Sequence, residues 1–448
     1  MPHPLPPNVR LPFGEPSAAR LIAYALPAFP LAILTLPLFV IVPKFYAEEL
    51  GAPLQAVGLA LLLVRLIDAI SDPLAGHFAD KTQARFGRRR LWVALATIPT
   101  ALAGYLVFAP PAGAGAGYLL LWGSVLSLAW TAMQVPYNAW GAELSSSYAG
   151  RTRVMAFRET LVALGTFAAI AIAGALQKPG TLRPVLDAFA WLLVIMLPLA
   201  ALICLWRVPE PEDRSQRAVS FREGLPHLKA NRPFQRLLVA FFFNGLANGL
   251  PATLFLFYVS RVIGSEPAQG PLLVLYFLCG VIGVPFWLWL AGRIGKHRTW
   301  CFAMILACLG FLPATFLGTG AIWPFAMVCI VTGLALGADM ILPNAQQADV
   351  IDLDTAASGS QRSGLYLAFW GLATKLALAL AVGIAFPLLD WAGFEAQGQG
   401  QTGIGMLAFL YAGLPVALKL IAIGLMWNFP IDARMQDRIR AEIDARRA

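Results

Sequence analysis

The stretch LQAVGLALLLVRLIDAISDPLAGHFA, residues 54–79, decides how the rest of the chain is read. It exceeds the roughly 20 apolar residues that a helix needs to cross about 30 Å of hydrocarbon, yet it contains Arg65, Asp68 and Asp72. On a helix these positions are spaced i, i+3 and i+7, so the three side chains share one face, with Ser71 beside them. Each charge costs about 2.5–3.5 kcal/mol at the bilayer centre on insertion scales, so that face is expected to point into a helix bundle or a water-filled cavity. Two carboxylates against one guanidinium leave an excess negative charge that attracts a cation. Without a metal ion, like-charge proximity favours a proton on one carboxyl. The plainer alternative is an internal salt bridge that locks helices together.

Composition extends this reading to the whole chain. Of 448 residues, 58% are hydrophobic and 13% charged, which departs in both respects from a soluble globular protein. Apolar runs predict membrane spans at 21–46, 54–79, 91–110, 117–144, 156–178, 183–207, 233–263, 268–292, 299–318, 321–350, 362–391 and 403–429. A membrane β-barrel requires alternating strands of about ten residues, which these continuous runs are not. The expected fold is therefore an all-α integral membrane protein of twelve helices. The start, MPHPLPPNVRLPFGEP, lacks the basic and apolar pattern of a signal peptide and reads as a flexible tail.

The net charge of +9 suggests no nucleic-acid partner once its distribution is considered. Lys44, Lys178, Arg183 and Arg261 fall toward the odd-numbered loops, whereas most of the 33 Lys and Arg gather on the tails and even-numbered loops. The positive-inside rule then puts both termini in the cytoplasm. Five cysteines, all in apolar segments and without CxxC spacing, predict packing rather than disulfides or a metal site. Four histidines, His3, His77, His227 and His297, lie in tails or near cytoplasmic loops and offer no catalytic cluster within the membrane. An enzyme is not expected.

The chain also repeats itself. RFGRRRLW (85–92) follows the second span, and RIGKHRTW (293–300) follows the eighth. Equivalent places in two six-helix halves predict a duplicated transporter. The organisation expected is a cytoplasmic tail at 1–20, a first bundle at 21–207, a central loop at 208–232, a second bundle at 233–429 and an amphipathic tail at 430–448.

RLIDAISDPLAGHFADKTQARFGRRR (65–90), VPYNAWGAELSSSYAGRTRVMAFRE (135–159) and ADVIDLDTAASGSQRSGLYLAFWGLATK (348–375) resemble the glycoside-pentoside-hexuronide:cation symporters, the melibiose-permease-like branch of the major facilitator superfamily. The resemblance implies two six-helix pseudo-repeat bundles and alternating access. It also implies a coupling Na⁺ or H⁺ held by Asp68 and Asp72, with Ser71 and Thr131 as further oxygen ligands. The family's two sugar-binding acids fall on Ala32 and Gln134, and its aromatic platform falls on Asn138. Its sugar-contacting arginine matches Arg158, and its eleventh-helix lysine matches Lys375. Loss of two acids with retention of two bases leads us to expect an anionic or zwitterionic solute.

Lys375 has two further readings, snorkelling to the membrane surface or pairing with Asp68 or Asp72. Asn244, Asn248 and Asp339 are added as substrate-binding candidates because they are polar positions near Pro251 and Pro343, where helix hydrogen bonding is weakened. Trp130 and Tyr137 are candidates for stacking on a sugar, with core packing the alternative. Asp80, Arg88, Glu143, Arg151 and Arg153 are expected to form an inward gate. The resulting expectation is a monomeric symporter in a bacterial inner membrane, carrying a small solute with no organic cofactor. A lysolipid or other amphiphile symporter and a non-transporting membrane receptor are the alternatives.

Overall fold

The computed structural model describes residues 17–82, 84, 87–144, 148–176, 180–210, 231–358, 363–395, 402–431, 435, 436 and 438. Among these, twelve helices are long and apolar enough to cross a membrane. The first half comprises α1 (Ala18–Glu49), α2 (Leu54–Lys81), α3 (Arg88–Phe108), α4 (Ala116–Glu143), α5 (Tyr148–Leu176) and α6 (Arg183–Arg207). The second comprises α7 (Arg232–Ile263), α8 (Glu266–Ile294), α9 (Lys296–Ala314), α10 (Ile322–Ser358), α11 (Ser363–Trp391) and α12 (Ile404–Met426).

Hydropathy locates the hydrocarbon-spanning part of each helix, but some helices continue into polar sequence. α10 runs beyond the expected 350 to Ser358, and α5 begins at Tyr148 rather than 156. α1 is less regular than its apolar pattern implies. It turns at Leu26 and Pro27 and has π-helical turns at Pro37–Ile41 and Phe45–Glu49. Pro27, Pro30, Pro37 and Pro43 each remove a backbone donor, and their rings crowd the preceding turn, so an unbroken i to i−4 ladder cannot persist through α1.

α2 packs on α4, α3 on α4 and α6, and α1 on α5 in the first half. α8 and α9 pack on α10, and α7 on α11 and α12, in the second. The halves meet mainly through α2 with α11, supplemented by α5 with α8. Small residues permit the cross-half approach: Gly58 faces Phe386, Gly383 faces Leu62, and Gly174 faces Val274. These contacts lie toward the bundle end remote from Ala18 and Met426, where Gly180 N also donates to Glu266 Oε2 at 2.8 Å.

The two basic loops have the same backbone construction. Gly87 (φ 96°) and Gly295 (φ 90°) precede α3 and α9 respectively, in a conformation disfavoured by an L side chain. A Cβ on Gly87 would also lie 2.4 Å from Glu210 Cδ. The repeated glycine thus has a conformational reason in both halves.

Close packing of α8 on α10 supplies a stability test. A Cβ at Gly337 would lie 2.4 Å from the Gly280 carbonyl oxygen and 3.0 Å from Val284 N. Both obstacles are backbone, so the helices must separate. Overpacking of this kind costs about 1–3 kcal/mol. Gly337→Ala is expected to lower the unfolding temperature of detergent-purified protein by several degrees, and an unchanged temperature would contradict this packing.

Candidate functional site

The charged face of α2 is directed inward. Asp68 is 7% exposed, and its Oδ1 accepts from Thr131 Oγ1 on α4 at 3.0 Å. Asp72 Oδ1 lies 3.0 Å from the same hydroxyl. Arg65 Nη1 is 3.6 Å from Asp68 Oδ2, and its guanidinium sits 3.8 Å from the Phe39 ring centroid of α1. This arrangement brings Asp68, Asp72 and Thr131 together. Ser71 differs, because its hydroxyl donates to the Asp68 backbone carbonyl at 3.1 Å.

Lys375 crosses from α11 to complete the cluster. Its Nζ is 2.5 Å from Asp72 Oδ2, 3.1 Å from Asp68 Oδ2 and 3.4 Å from the Asp68 carbonyl oxygen. The expected excess negative charge is therefore corrected by the fold: Arg65 and Lys375 balance Asp68 and Asp72. Lys375 is engaged by the carboxylates, rather than standing apart as a base for substrate. Its half-crossing bond also makes the charge cluster a joint between the two bundles.

Thr131 imposes a proton constraint on this geometry. One hydroxyl has one hydrogen, yet two carboxylate oxygens approach its oxygen equally closely. With both carboxylates ionised, only one approach is a hydrogen bond. A carboxyl proton, or a cation in the corner between the oxygens, satisfies the other.

A second polar cluster lies wholly within the second half. Asp339 on α10 accepts from Asn244 Nδ2 at 3.1 Å, Asn248 Nδ2 at 2.9 Å and Trp300 Nε1 at 2.6 Å. Lys419 on α12 donates to Asn244 Oδ1 at 2.7 Å and lies 3.4 Å from Asp339 Oδ2. Asn244, Asn248 and Asp339 are thus brought together, but bonded to one another. Sequence reasoning missed Lys419 and Trp300. A lysine within an apolar span was the available signal for Lys419, as it was for Lys375.

The remaining substrate candidates are linked in the first half. Arg158 donates to Asn138 Oδ1 and to Glu159 Oε1, while Trp130 Nε1 approaches Gln134 Oε1 at 3.4 Å. Tyr137 is only 1% exposed and stacks on Tyr24 at a centroid separation of 4.8 Å. Each tyrosine hydroxyl donates to the other's backbone carbonyl. The core reading of Tyr137 therefore replaces the sugar-stacking one. An apolar cavity of about 40 Å³ lies between α1 and the second half, lined by Val40, Pro251, Phe255, Tyr276, Phe311 and Tyr411 among others.

Arg88 and Glu143 are joined at the end of the bundle bearing the basic loop. Arg88 Nη2 donates to Glu143 Oε1 at 3.1 Å, and Arg89, not singled out from sequence, donates to the same oxygen at 2.7 Å. Glu210 accepts from the backbone N–H groups of Arg89 and Arg90 at 2.8 and 3.2 Å, fixing the start of α3. Arg153 is exposed. The side chains of Asp80 and Arg151, the first 16 residues, most of the central loop and nearly all of the 430–448 tail lie outside the described residues.

Comparison with known proteins places this geometry in context. A family model described as "MFS/sugar transport protein" matches residues 23–433. The sodium-dependent lysophosphatidylcholine symporter 1 of Xenopus tropicalis is 26% identical over 438 residues, covering 87% of this chain and 81% of that protein. The glucuronide carrier protein homolog of Escherichia coli (strain K12) is 25% identical over 415 residues, covering 90% of each. Among solved structures, the nucleoside transporter NupG aligns with a TM-score of 0.66 at 13% identity, covering 91% of this chain and 99% of that one. The D-xylose-proton symporter aligns with a TM-score of 0.63 at 13% identity, covering 92% and 97% respectively. These structural likenesses concern the fold.

Proposed function

Because the chain belongs to the MFS/sugar transport protein family, we propose that this multi-pass membrane transporter is a symporter in which Na⁺ or H⁺ at Asp68 and Asp72 is coupled to transport of a sugar, glycoside or related polar organic solute. The observation that carries the reading is the single Thr131 hydroxyl held between two carboxylate oxygens at 3.0 Å each. Such a corner accommodates a proton or a small hard cation with oxygen ligands. The relative named as a sodium-dependent symporter supports the Na⁺ form of this reading.

Lys375 supplies a physical route from ion binding to conformational change. Its ammonium reaches across the halves to Asp68 and Asp72, so an incoming cation competes with it for the carboxylate oxygens. Displacement of this tether loosens the α2–α11 joint. Binding and rocking then bias each other reciprocally, with a coupling free energy typically about 1–3 kcal/mol. Both termini and the Arg88–Glu143 contact are assigned to the cytoplasmic side by the positive-inside pattern.

Substrate is assigned to the polar residues Gln134, Asn138 and Arg158 of α4 and α5. Lys375 is held by two less exposed carboxylates, whereas the carboxylate paired with Arg158 is that of Glu159, whose side chain is 58% exposed, so an anionic group competes more readily for Arg158, and a uronate or acidic glycoside is the favoured class. A second reading, an amphiphile, is favoured by the relative named for lysophosphatidylcholine. Proteoliposome uptake under imposed Na⁺ or pH gradients should distinguish neutral glycosides, glucuronides and lysophosphatidylcholine. Gradient-driven accumulation of a glycoside or glucuronide is expected. Binding without accumulation under either gradient would reject symport in favour of a receptor, whereas accumulation confined to lysophosphatidylcholine would select the amphiphile reading.

A further inference from the structure

The Asp339 cluster is more than a collection of polar side chains inside an apolar bundle. Asn244 both donates its Nδ2 to Asp339 and accepts the Lys419 ammonium on Oδ1, so the two interactions demand the same amide orientation. Asn248 and Trp300 provide two further donors to the carboxylate. Lys419 and Asn244 are 1% and 2% exposed, respectively. The Lys419 nitrogen is therefore a buried monovalent charge facing one amide oxygen and one carboxylate oxygen. Those are also suitable donors for a hard monovalent cation.

We propose that this cluster is a second cation site permanently occupied by the protein's own Lys419 ammonium. It differs from the Asp68–Asp72 cluster in one decisive respect. Lys375 crosses from the opposite half, whereas Lys419 belongs to the same half as every other member of its cluster. Rocking of the bundles pulls on the first lysine but carries the second along with its carboxylate. Lys419 consequently keeps the second half electrostatically complete without recruiting another ion from solution. The site takes a small cation such as Na⁺ or ammonium when that tether is shortened, because truncation removes both the charge and the stem that occupies its approach.

This inference stands independently of ion coupling at Asp68 and Asp72. Its test uses the full chain in a D72N background, so that a response at the other cluster is reduced and separately controlled. Thermal unfolding is measured for D72N, D72N/K419A and D72N/K419A/D339N in choline chloride, then with added sodium, ammonium or methylammonium chloride. D72N/K419A is expected to unfold several degrees below D72N in choline because Asp339 loses its charge partner. Sodium, ammonium or methylammonium should recover part of that loss beyond any response of D72N.

Removal of Asp339 as well should abolish the additional ion response and recover stability in choline. Equal ion responses in D72N and D72N/K419A would overturn the proposal. So would persistence of the additional response without Asp339. If D72N/K419A cannot be recovered folded in any of these salts while D72N/K419A/D339N can, a free cation fails to replace the ammonium, and the proposal is also overturned.

Discussion

Asp68→Asn is expected to weaken binding of the coupling cation by about a thousandfold and reduce gradient-driven accumulation to equilibration. Asp68 accepts from Thr131 and lies within 3.1 Å of Lys375 and 3.6 Å of Arg65. Its substitution leaves Asp72 facing two cationic side chains. An incoming positive charge therefore enters a cluster carrying net positive charge instead of a neutral one. One lost unit-charge attraction at about 4 Å, with an effective dielectric near 20, is worth about 4 kcal/mol, or roughly three powers of ten in affinity. The Asp68 side chain is only 9% exposed, so solvent screening removes little of that difference. Ion titration of binding and uptake in oppositely poised proteoliposomes should reveal both losses. Uphill accumulation equal to that of the unsubstituted protein would remove Asp68 from the coupling mechanism.

The physical difference between local and tertiary information explains what was legible in sequence. Apolar runs of sufficient length identify the twelve helices because hydrocarbon requires their backbone groups to be bonded internally. Spacing also puts Arg65, Asp68 and Asp72 on one face, since that property depends only on helical geometry. The loop glycines Gly87 and Gly295 turn a weak sequence repetition into matching positive-φ backbones. These features require no knowledge of which distant helix becomes a neighbour.

Partner identity is a different matter. Lys375 could pair with Asp68, pair with Asp72 or face substrate while retaining the same local sequence. Its contact with both carboxylates arises from α2–α11 packing across the halves. Likewise, nothing local to Lys419 specifies Asn244 and Asp339, which reach it from α7 and α10. The π turns of α1 were obscured for another reason: hydropathy records suitability for lipid but not the backbone offsets introduced by four prolines. Tyr137 shows the same limit on residue chemistry, because an aromatic suitable for a sugar wall is equally suitable for the Tyr24 core contact.

Lys375→Met should have the opposite effect on cation affinity from Asp68→Asn, while also impairing coupled transport. Removing Lys375 leaves Asp68 and Asp72 opposed by Arg65 alone, so the cluster acquires net negative charge. The side chains of Lys375 and Asp72 are 24% and 35% exposed, respectively, and solvent weakens their interaction relative to the more enclosed Asp68 contacts. An increase of roughly tenfold in ion affinity is therefore expected, smaller than the loss from Asp68→Asn. Transport should nevertheless lose its tight ion dependence, since the lysine also joins α11 to α2. In the double variant D72N/K375M, charge is balanced by Arg65 and Asp68, but neither the ion corner nor the cross-half tether remains. It should retain the fold and lose ion-stimulated accumulation. Parallel ion titrations and uptake assays separate these effects. Weaker cation binding by Lys375→Met than by the unsubstituted protein would show that the ammonium builds the ion site instead of competing for it.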